Sequence, residues 1–462
     1  MRSHAFISLV VLLYSGIPSL ADHGRSGPTY DASLHVAGIA ASEATYGAGS
    51  QAANFVGRTE SGTDSCMLVQ HADISPVPRS AAEPSIPLRH QIGQILIAGF
   101  EGSSPGSRRF RNFVRFAEDS QLGGVLFLGK NISSRSDTQE MIHTLRSKMR
   151  VSPFFAIDQE GGVIQRLTGD VGFPNIPSAK IVGATLSPSQ AQYLYSGLAA
   201  ELADWGFDMN IGPVVDLDSN PNNPIIGKLG RSYSRKPGIV AAYARAFVEA
   251  HGSFGIVSVL KHFPGQGSAK VDSHVAKVDV SATWSSLELE PYRALSTSEA
   301  PYAIMTGHLT LDRKPDAAFG KLPASLSSTM IHRLIRNDLC FRGVVVTDDI
   351  RMKALQDAGS VNSVVVRAIT AGNDLIIVSS KPYDRPQFFD SLVSYVEKEA
   401  KGDAALRSRI GEAYNRVRTL KNQVLVPTYE SQQRRGSAAG KPGWIQQLEA
   451  ISATIPAWAV DR

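Results

Sequence analysis

The sequence predicts a single α/β catalytic domain folded as a (β/α)8 barrel of the TIM type. Eight short apolar runs alternate along the chain with segments of helical periodicity. The runs are almost continuously apolar, which is typical of parallel strands buried on both faces. They are QILIAGF from Gln94, GGVLFL from Gly123, PFFAID from Pro153, DMNIGPVVD from Asp208, IVSVLKH from Ile256, YAIMTGH from Tyr302, GVVVTDD from Gly343 and DLIIVS from Asp374.

The segments between the runs carry the signals of helices. SPSQAQYLYSGLAAELADWG begins at Ser187 and IVAAYARAFVEAHG at Ile239, and both end in Gly, as many helices do; STMIHRLIRNDL from Ser328 has the same periodicity. An open doubly wound sheet is the alternative, but no run is followed by a GxGxxG or P-loop turn. Eight strand–helix units therefore favour the barrel.

Polar residues that could perform chemistry follow the carboxyl ends of the runs. They are Asp158, Asp216, Lys261, His262, His308, Asp348 and Asp349. In a barrel these ends converge on one mouth, where active sites lie. The sequence therefore predicts one site built from several strand ends.

The chain divides into four segments. Arg2 precedes an apolar run at 5–17, and a small residue, Ala21, closes a plausible cleavage site, as in a signal peptide. The run is shorter than the ~20 apolar residues a membrane span needs. We expect no transmembrane segment and a periplasmic or secreted protein. The segments are a signal peptide at 1–21, a disordered low-complexity leader at 22–86, the barrel at 87–425 and a short C-terminal tail at 426–462.

The composition limits the classes of partner. The chain has 462 residues, of which 43% are hydrophobic and 19% charged, which suits a large globular domain. Its net charge of +5 is mild, and we find no basic stripe with interleaved aromatics, so we expect no nucleic-acid partner. Export would place Cys66 and Cys340 in an oxidising compartment, where they could pair or remain two thiols. The sequence does not indicate the oligomeric state.

Six motifs, in this order along the chain, resemble glycoside hydrolase family 3, most of all its β-N-acetylhexosaminidase branch. The resemblance covers about Gln91 to Val378. The motifs are IDQEGGVIQR at 157–166, NIGPVVDLDSNPNNPIIGKLGRSYS at 210–234, KHFPGQGSAKVDSH at 261–274, PASLS at 323–327, VVVTDDIRM at 344–352 and AGNDLIIV at 371–378. The family implies the same barrel fold.

Asp348 is the carboxylate for which the resemblance implies the role of nucleophile. From the residues alone, a carboxylate after an apolar strand is either catalytic or a helix N-cap. Because two carboxylates stand here, Asp349 can cap while Asp348 reacts. The family's first Asp at this position attacks the anomeric carbon and forms a covalent glycosyl-enzyme, which gives retention of configuration.

Asp272 and His274 form an Asp-x-His pair that resembles the acid/base dyad of this branch. Alone, the pair would be read as an ordinary surface turn. Imidazole titrates near neutral pH, so it can give a proton and later take one back. Only 37 residues follow Leu425, too few for a second domain, so we expect the barrel itself to supply the acid.

The resemblance also implies a set of substrate-binding residues. They are Asp158, Arg166, Arg231, Lys261 and His262. Asp158 resembles the carboxylate that grips the O4 and O6 edge of a terminal sugar. For the two arginines, salt bridges to Asp158 or Asp216 are the other interpretation. His308 and Asp216 are expected only to support these groups.

The predicted function is that of an exo-acting retaining β-N-acetylglucosaminidase. Its substrates would be peptidoglycan fragments or chitooligosaccharides, and we expect no cofactor and no metal. The chain departs from the family at Gln266, at Ser268-Ala269 and at Val163, which puts the loop conformation and the leaving-group preference in question. The alternatives are a β-glucosidase, a catalytically inactive sugar-binding barrel and a metal-dependent hydrolase; HExxH is absent from the sequence.

Overall fold

The computed structural model describes residues 86–312, 320–381, 384 and 387–425. The predicted signal peptide, the tail at 426–462 and Cys66 lie outside the described residues, as does the leader except for its last residue. These predictions therefore stay predictions.

Eight parallel strands form the centre of the molecule. Together with a short pair outside this sheet, the strands are β1 Leu96–Gly99, β2 Gly124–Phe127, β3 Phe154–Ile157, β4 Met209–Asn210, β5 Val257–Phe263, β6 Val278–Asp279, β7 Tyr302–Thr306, β8 Leu309–Thr310, β9 Val345–Thr347 and β10 Ile376–Val378. The order in the eight-stranded sheet is β10-β1-β2-β3-β4-β5-β7-β9, and a parallel bridge between Val346 and Leu375 brings β9 against β10. The short separate pair is β6 with β8. The nearly closed ring confirms the predicted barrel and contradicts the open sheet.

Every predicted apolar run contains one barrel strand, but the run from Asp208 is mostly not strand. β4 keeps only two residues, and Val214 rejoins the ladder through a single bridge to Lys261. Pro213 lies between the two pieces and has no amide hydrogen to donate to a neighbouring strand. The chain therefore leaves regular pairing early and brings Asp216 to the mouth.

Helices separate the strands and cover the outside of the ring. α5 shows why they form where they do. Ser187 and Gln190 make a reciprocal capping box at its start, and Gly206 ends it in the left-handed conformation. The helices are α1 Leu88–Gln94, α2 Arg108–Ser120, α3 Arg135–Lys148, α4 Ala179–Thr185, α5 Pro188–Trp205, α6 Pro237–Ser253, α7 Glu290–Leu295, α8 Ser328–Met330 (continued by a π-helix at Ile331–Asp338), α9 Val361–Ala371, α10 Phe388–Gly402 and α11 Ala404–Val424.

The core has two layers. One lies between strands and helices, and the other fills the barrel. Val417, Leu420 and Val424 of α11 belong to the inner layer. Lys421 of the same helix donates a hydrogen bond to Gln94, the last residue of the helix that precedes β1, so α11 packs against the amino-terminal ends of the strands. The opposite ends of the strands are left to form the site. Within the described part of the chain, no helix is both long and apolar enough to cross a membrane.

Candidate active site

A network of four charged groups, three of them buried and Asp158 half-buried, joins the carboxyl ends of β3 and β5. Lys261 Nζ lies 2.9 Å from Asp158 Oδ1 and 2.5 Å from Glu160 Oε1. Arg231 donates from Nε and Nη2 to the two carboxylate oxygens of Glu160, at 2.8 Å each. Buried charges are tolerated when they are paired and hydrogen bonded, as these are. The network therefore holds Asp158 and Lys261 in fixed positions.

Both carboxylates of this network stay ionised. Burial alone would raise the pKa of Asp158, but the charges of Lys261 and Arg166 outweigh it and hold that pKa well below its usual range. Burial also opposes ionisation of Glu160, and Arg231 and Lys261 overcome it, lowering the pKa to about 2. Asp158 is consequently an acceptor-only group, suited to binding hydroxyl hydrogens of a sugar.

A glycine turn after β3 returns the chain toward Asp158. Gly161 and Gly162 have φ of +104° and +59°, the left-handed region that favours glycine. Gln159 Oε1 then accepts a hydrogen bond from Arg166 N at 2.9 Å. Arg166 Nη2 donates to Asp158 Oδ2 at 3.3 Å. The DQEGG motif thus places an arginine and a carboxylate from the same loop side by side.

Asp216 forms hydrogen bonds with residues at the carboxyl end of β5 and in the turn that follows it. It is fully buried, and its Oδ2 lies 2.8 Å from His262 Nδ1. Its Oδ1 accepts from the backbone amides of His262 at 3.1 Å and Gln266 at 2.8 Å. A carboxylate against Nδ1 fixes the ring's orientation and tautomer. Asp216 thus supports His262 from a buried position, in keeping with the supporting role expected of it.

Asp348 directly follows β9 and is half-buried. Its amide donates to Thr306 O at 3.0 Å, and its Oδ1 accepts from Asp349 N at 2.7 Å. Asp349 instead bonds backbone amides, those of Arg351 and Ser379, at 3.1 Å each. Asp349 therefore caps the turn that follows β9, and the role of Asp348 as nucleophile stays a prediction.

The loop after β5 carries the acid/base candidates. Asp272 Oδ1 accepts from His274 N at 2.7 Å and lies 2.8 Å from His274 Nδ1. The His274 side chain is 60% exposed. Between them, Ser273 O accepts from Ala354 N at 3.2 Å, and Ala354 lies six residues after Asp348. This contact places the loop beside the segment that follows Asp348, on the same face of the barrel.

The two arginines differ in their surroundings. Arg231 bonds Glu160 with two nitrogens and Ile225 O with the third, at 2.9 Å, so the salt bridge forms with neither of the expected carboxylates. Arg166 pairs with Asp158 as the alternative interpretation expects, but its Nε is buried and finds no hydrogen-bond partner among the described residues. Direct contact of either arginine with substrate remains a prediction.

Three supporting residues were missed at the sequence level. Glu160 holds both Arg231 and Lys261. Ser325 Oγ lies 2.8 Å from Nδ1 of His308, and Nε2 of the same ring lies 2.9 Å from Asp349 O. Asn210 of β4 donates to Gln159 O. The conjunction of Glu160 with the apolar strand and the following GG could have identified the first, because a carboxylate there must be buried and paired.

Across the described residues, no group of three or more His, Cys, Asp or Glu side chains is arranged to hold a metal ion. His262 and His274 each pair with one carboxylate, Asp216 and Asp272 respectively. These pairs fit proton transfer and ring orientation.

Comparison with known proteins gives the family. The model of the glycosyl hydrolase family 3 N-terminal domain matches residues 87–420. A β-hexosaminidase of Xylella fastidiosa is 32% identical over 326 residues, which cover 69% of this chain and 91% of the relative. A β-hexosaminidase of Nitrosomonas eutropha is 32% identical over 283 residues, covering 59% and 77%.

Solved structures agree. A family 3 β-N-acetylglucosaminidase from a Paenibacillus strain has a TM-score of 0.67 at 30% identity, covering 80% of this chain and 69% of that one. A β-N-acetylhexosaminidase from Beutenbergia cavernae has a TM-score of 0.66 at 28% identity, covering 74% and 100%. The chain spans only 42% of a fungal multi-domain β-N-acetylglucosaminidase of the same family. The resemblance read from the motifs is thus confirmed, and this chain belongs to glycosyl hydrolase family 3.

Proposed function

We propose that the protein is an exo-acting, retaining β-N-acetylhexosaminidase that removes terminal N-acetylglucosamine from β-linked glycans. The observation that supports this most is the contact of the Asp272–His274 loop with the segment after Asp348, through Ser273 O and Ala354 N. The contact joins the segment after Asp348, a carboxylate that could act as nucleophile, to the loop of His274, an imidazole that could act as acid. The curated relatives named β-hexosaminidases support the choice of sugar.

The reaction proceeds in two displacements. In the first, a carboxylate oxygen of Asp348 bonds the anomeric carbon while the bond from that carbon to the leaving oxygen breaks. The protonated His274 gives its Nε2 proton to the leaving oxygen, and Asp272 on Nδ1 stabilises the imidazolium. In the second, neutral His274 takes a proton from water as the water oxygen displaces Asp348, which restores the β-configuration.

The buried network provides the sugar site. Asp158, Lys261 and His262 are held in place by Glu160 and Asp216, so they need little rearrangement when a sugar binds. Charged groups at a terminal hydroxyl edge leave no room for another residue there, which favours exo-action.

We further propose that the natural substrate is a cell-envelope or external glycan, a peptidoglycan fragment or a chitooligosaccharide. The support is the apolar run at 5–17 after Arg2, the mark of an export signal. A histidine acid is neutral or cationic and tolerates an anionic leaving group, such as a muramyl lactate, better than a carboxylic acid does. This favours peptidoglycan fragments. Much faster cleavage of chitobiose than of a muropeptide disaccharide would overturn that preference.

The experiment that tests the proposal is inactivation with a 5-fluoro N-acetylglucosaminyl reagent, followed by mass spectrometry of the peptides. The label is expected on the peptide that contains Asp348, and Asp348→Asn should take up none. A label on another carboxylate would refute the mechanism. Parallel assays on aryl N-acetylglucosaminide and aryl glucoside decide the sugar. Faster glucoside turnover would indicate a β-glucosidase, and no turnover of either would indicate a sugar-binding barrel.

A further inference from the structure

One buried carboxyl group near the site has no part in the reaction described so far. Glu288 lies in the 3-10 turn Ser286–Leu289 that precedes α7, and it is 1% exposed. Its Oε2 accepts from Leu217 N at 3.0 Å, and its Oε1 accepts from Ser219 Oγ at 3.3 Å. Both donors belong to the segment that follows β4. Glu288 thus joins that segment to α7.

The turn at the base of the loop after β5 rests on Glu288. A Cβ placed on Gly265 would lie 2.5 Å from Glu288 Cβ, and one on Gly267 would lie 2.8 Å from Oε1. Gly265 also has a φ of +123°, which favours glycine. The segment before Glu288 adds two contacts: Trp284 Nε1 donates to Pro264 O, and Thr283 Oγ1 donates to Ser268 Oγ. The turn is therefore supported along its whole length from one side.

Gln266 connects this turn to the acid/base pair. It lies between the two glycines and is buried. Its side-chain amide donates to Ser273 Oγ at 3.3 Å, and Ser273 separates Asp272 from His274. Its backbone amide donates to Asp216 Oδ1. A shift of the turn would thus be transmitted to the dyad and to the support of His262.

The charges around Glu288 favour its neutral form. Asp216 interacts with it from the segment after β4, and Tyr292 interacts with it from α7. His262 of β5 pairs with Asp216. Burial, and then the Asp216 charge, raise the pKa of Glu288 to about 8. Glu160 is also buried but pairs with two cations, and its pKa falls to about 2. Burial raises the pKa of Tyr292 well above its usual value, so that phenol stays neutral.

We propose that neutral Glu288 is a positioning residue that supports the Gly265–Gly267 turn and, through Gln266, the loop carrying Asp272 and His274. This inference rests on the proposed role of His274. When Glu288 ionises, a second carboxylate is created beside buried Asp216, and repulsion and rehydration displace the turn. The dyad then loses its position, and proton transfer to the leaving group slows.

The test compares Glu288→Gln, which imitates the neutral acid, with the wild type on a substrate with a poor leaving group. The measured quantity is the ratio of wild-type to variant kcat/KM, normalised at pH 6. Any pH dependence that the two enzymes share cancels in this ratio. With a pKa of about 8, the ratio should fall on the order of tenfold by pH 9. Glu201→Gln is the matched control, since burial also raises the pKa of Glu201 but that residue lies on α5, outside the site. Its ratio should stay flat.

A second measurement uses only the wild type and covers the case in which Glu288→Gln does not fold. Hydrogen exchange of a peptide spanning 264–276, corrected for intrinsic rates, should lose protection between pH 7 and pH 9. A peptide from α11 should not. A flat kcat/KM ratio, or unchanged protection of 264–276, would overturn the role of Glu288. If His274 were not the acid, the kcat/KM ratio would fall equally on a disaccharide and on an aryl glycoside while the protection of 264–276 still fell, which separates the two failures.

Discussion

Replacing His274 with alanine tests the proposed proton donor directly. The side chain is 60% exposed and its described partner is Asp272, so its loss should barely change the free energy of unfolding. The effect should appear in catalysis alone. General acid catalysis contributes about 10²- to 10⁴-fold in rate, which corresponds to about 3–5 kcal/mol of transition-state stabilisation.

This loss should depend on the leaving group. An alcohol leaving group, such as the next sugar, needs the proton, whereas a nitrophenolate leaves without it. We therefore expect kcat/KM of His274→Ala to fall 10²- to 10⁴-fold on a disaccharide but about tenfold or less on the aryl glycoside. The quantity kcat/KM is chosen because it reports only the steps through formation of the glycosyl-enzyme.

The assay pairs both substrates across wild type, His274→Ala and Asp272→Asn. Asp272→Asn should show the same pattern with a smaller loss, because it leaves the imidazole but removes the carboxylate charge beside Nδ1 of His274. His143→Ala, a histidine of α3, is the control and should match wild type on both substrates. Equal losses for His274→Ala on the two substrates would refute its role as acid.

Three further predictions follow from the same structure. Asp348→Ala should abolish turnover on every substrate, including activated ones, and circular dichroism should show the fold unchanged; retained turnover would exclude Asp348 as nucleophile. Lys261→Met should remove the charge that, against burial, holds down the pKa of Asp158 and Glu160, so the acid limb of the kcat/KM profile should move to higher pH; an unmoved limb would contradict the assigned network. Burial lowers the pKa of Lys421 from 10.5 to about 7. Between these two pH values the folded state binds fewer protons at Lys421 than the unfolded state does, so the contribution of this side chain to the free energy of unfolding should rise with pH. Relative to Lys421→Met, wild type should gain about 2 kcal/mol between pH 7 and pH 9 in urea unfolding, and a constant difference would show that Lys421 does not titrate there.

The order of the barrel strands could be predicted from the sequence because each strand has a local signal, a short apolar run. A run such as PFFAID, which ends in the carboxylate of Asp158, can be recognised without knowledge of the rest of the chain. The early end of β4 could have been predicted too, since Pro213 lies inside the apolar run. The π-helix at Ile331–Asp338 could not, because its sequence has ordinary helical periodicity.

The partners of the site residues were harder to predict than the residues themselves. Arg231 meets Glu160 across 71 positions of sequence, and Lys261 meets Asp158 across 103. A motif states which residue types are present but not which of several nearby carboxylates an arginine will choose. That choice depends on barrel geometry, and it is why Arg231 was expected beside Asp158 or Asp216.

The site joins a rigid half to an adjustable half, and burial separates them. Lys261, Glu160 and Arg231 form a closed set of charges that water scarcely reaches, so the sugar meets groups that are already in place. His274 is exposed to solvent on a loop whose position depends on contacts made by its neighbours, Ser273 and Gln266.

Such a division of the site into a rigid and an adjustable half suits a hydrolase whose sugar is constant and whose leaving group varies. The rigid half then sets recognition of the terminal residue, whereas the proton must reach aglycones of different shape. It follows that substitutions in the rigid half should change binding and stability together, while substitutions of the loop's Asp272 and His274 should change leaving-group dependence and leave stability nearly constant. A loop variant that lost stability and sugar affinity in parallel would show that the two halves are one unit.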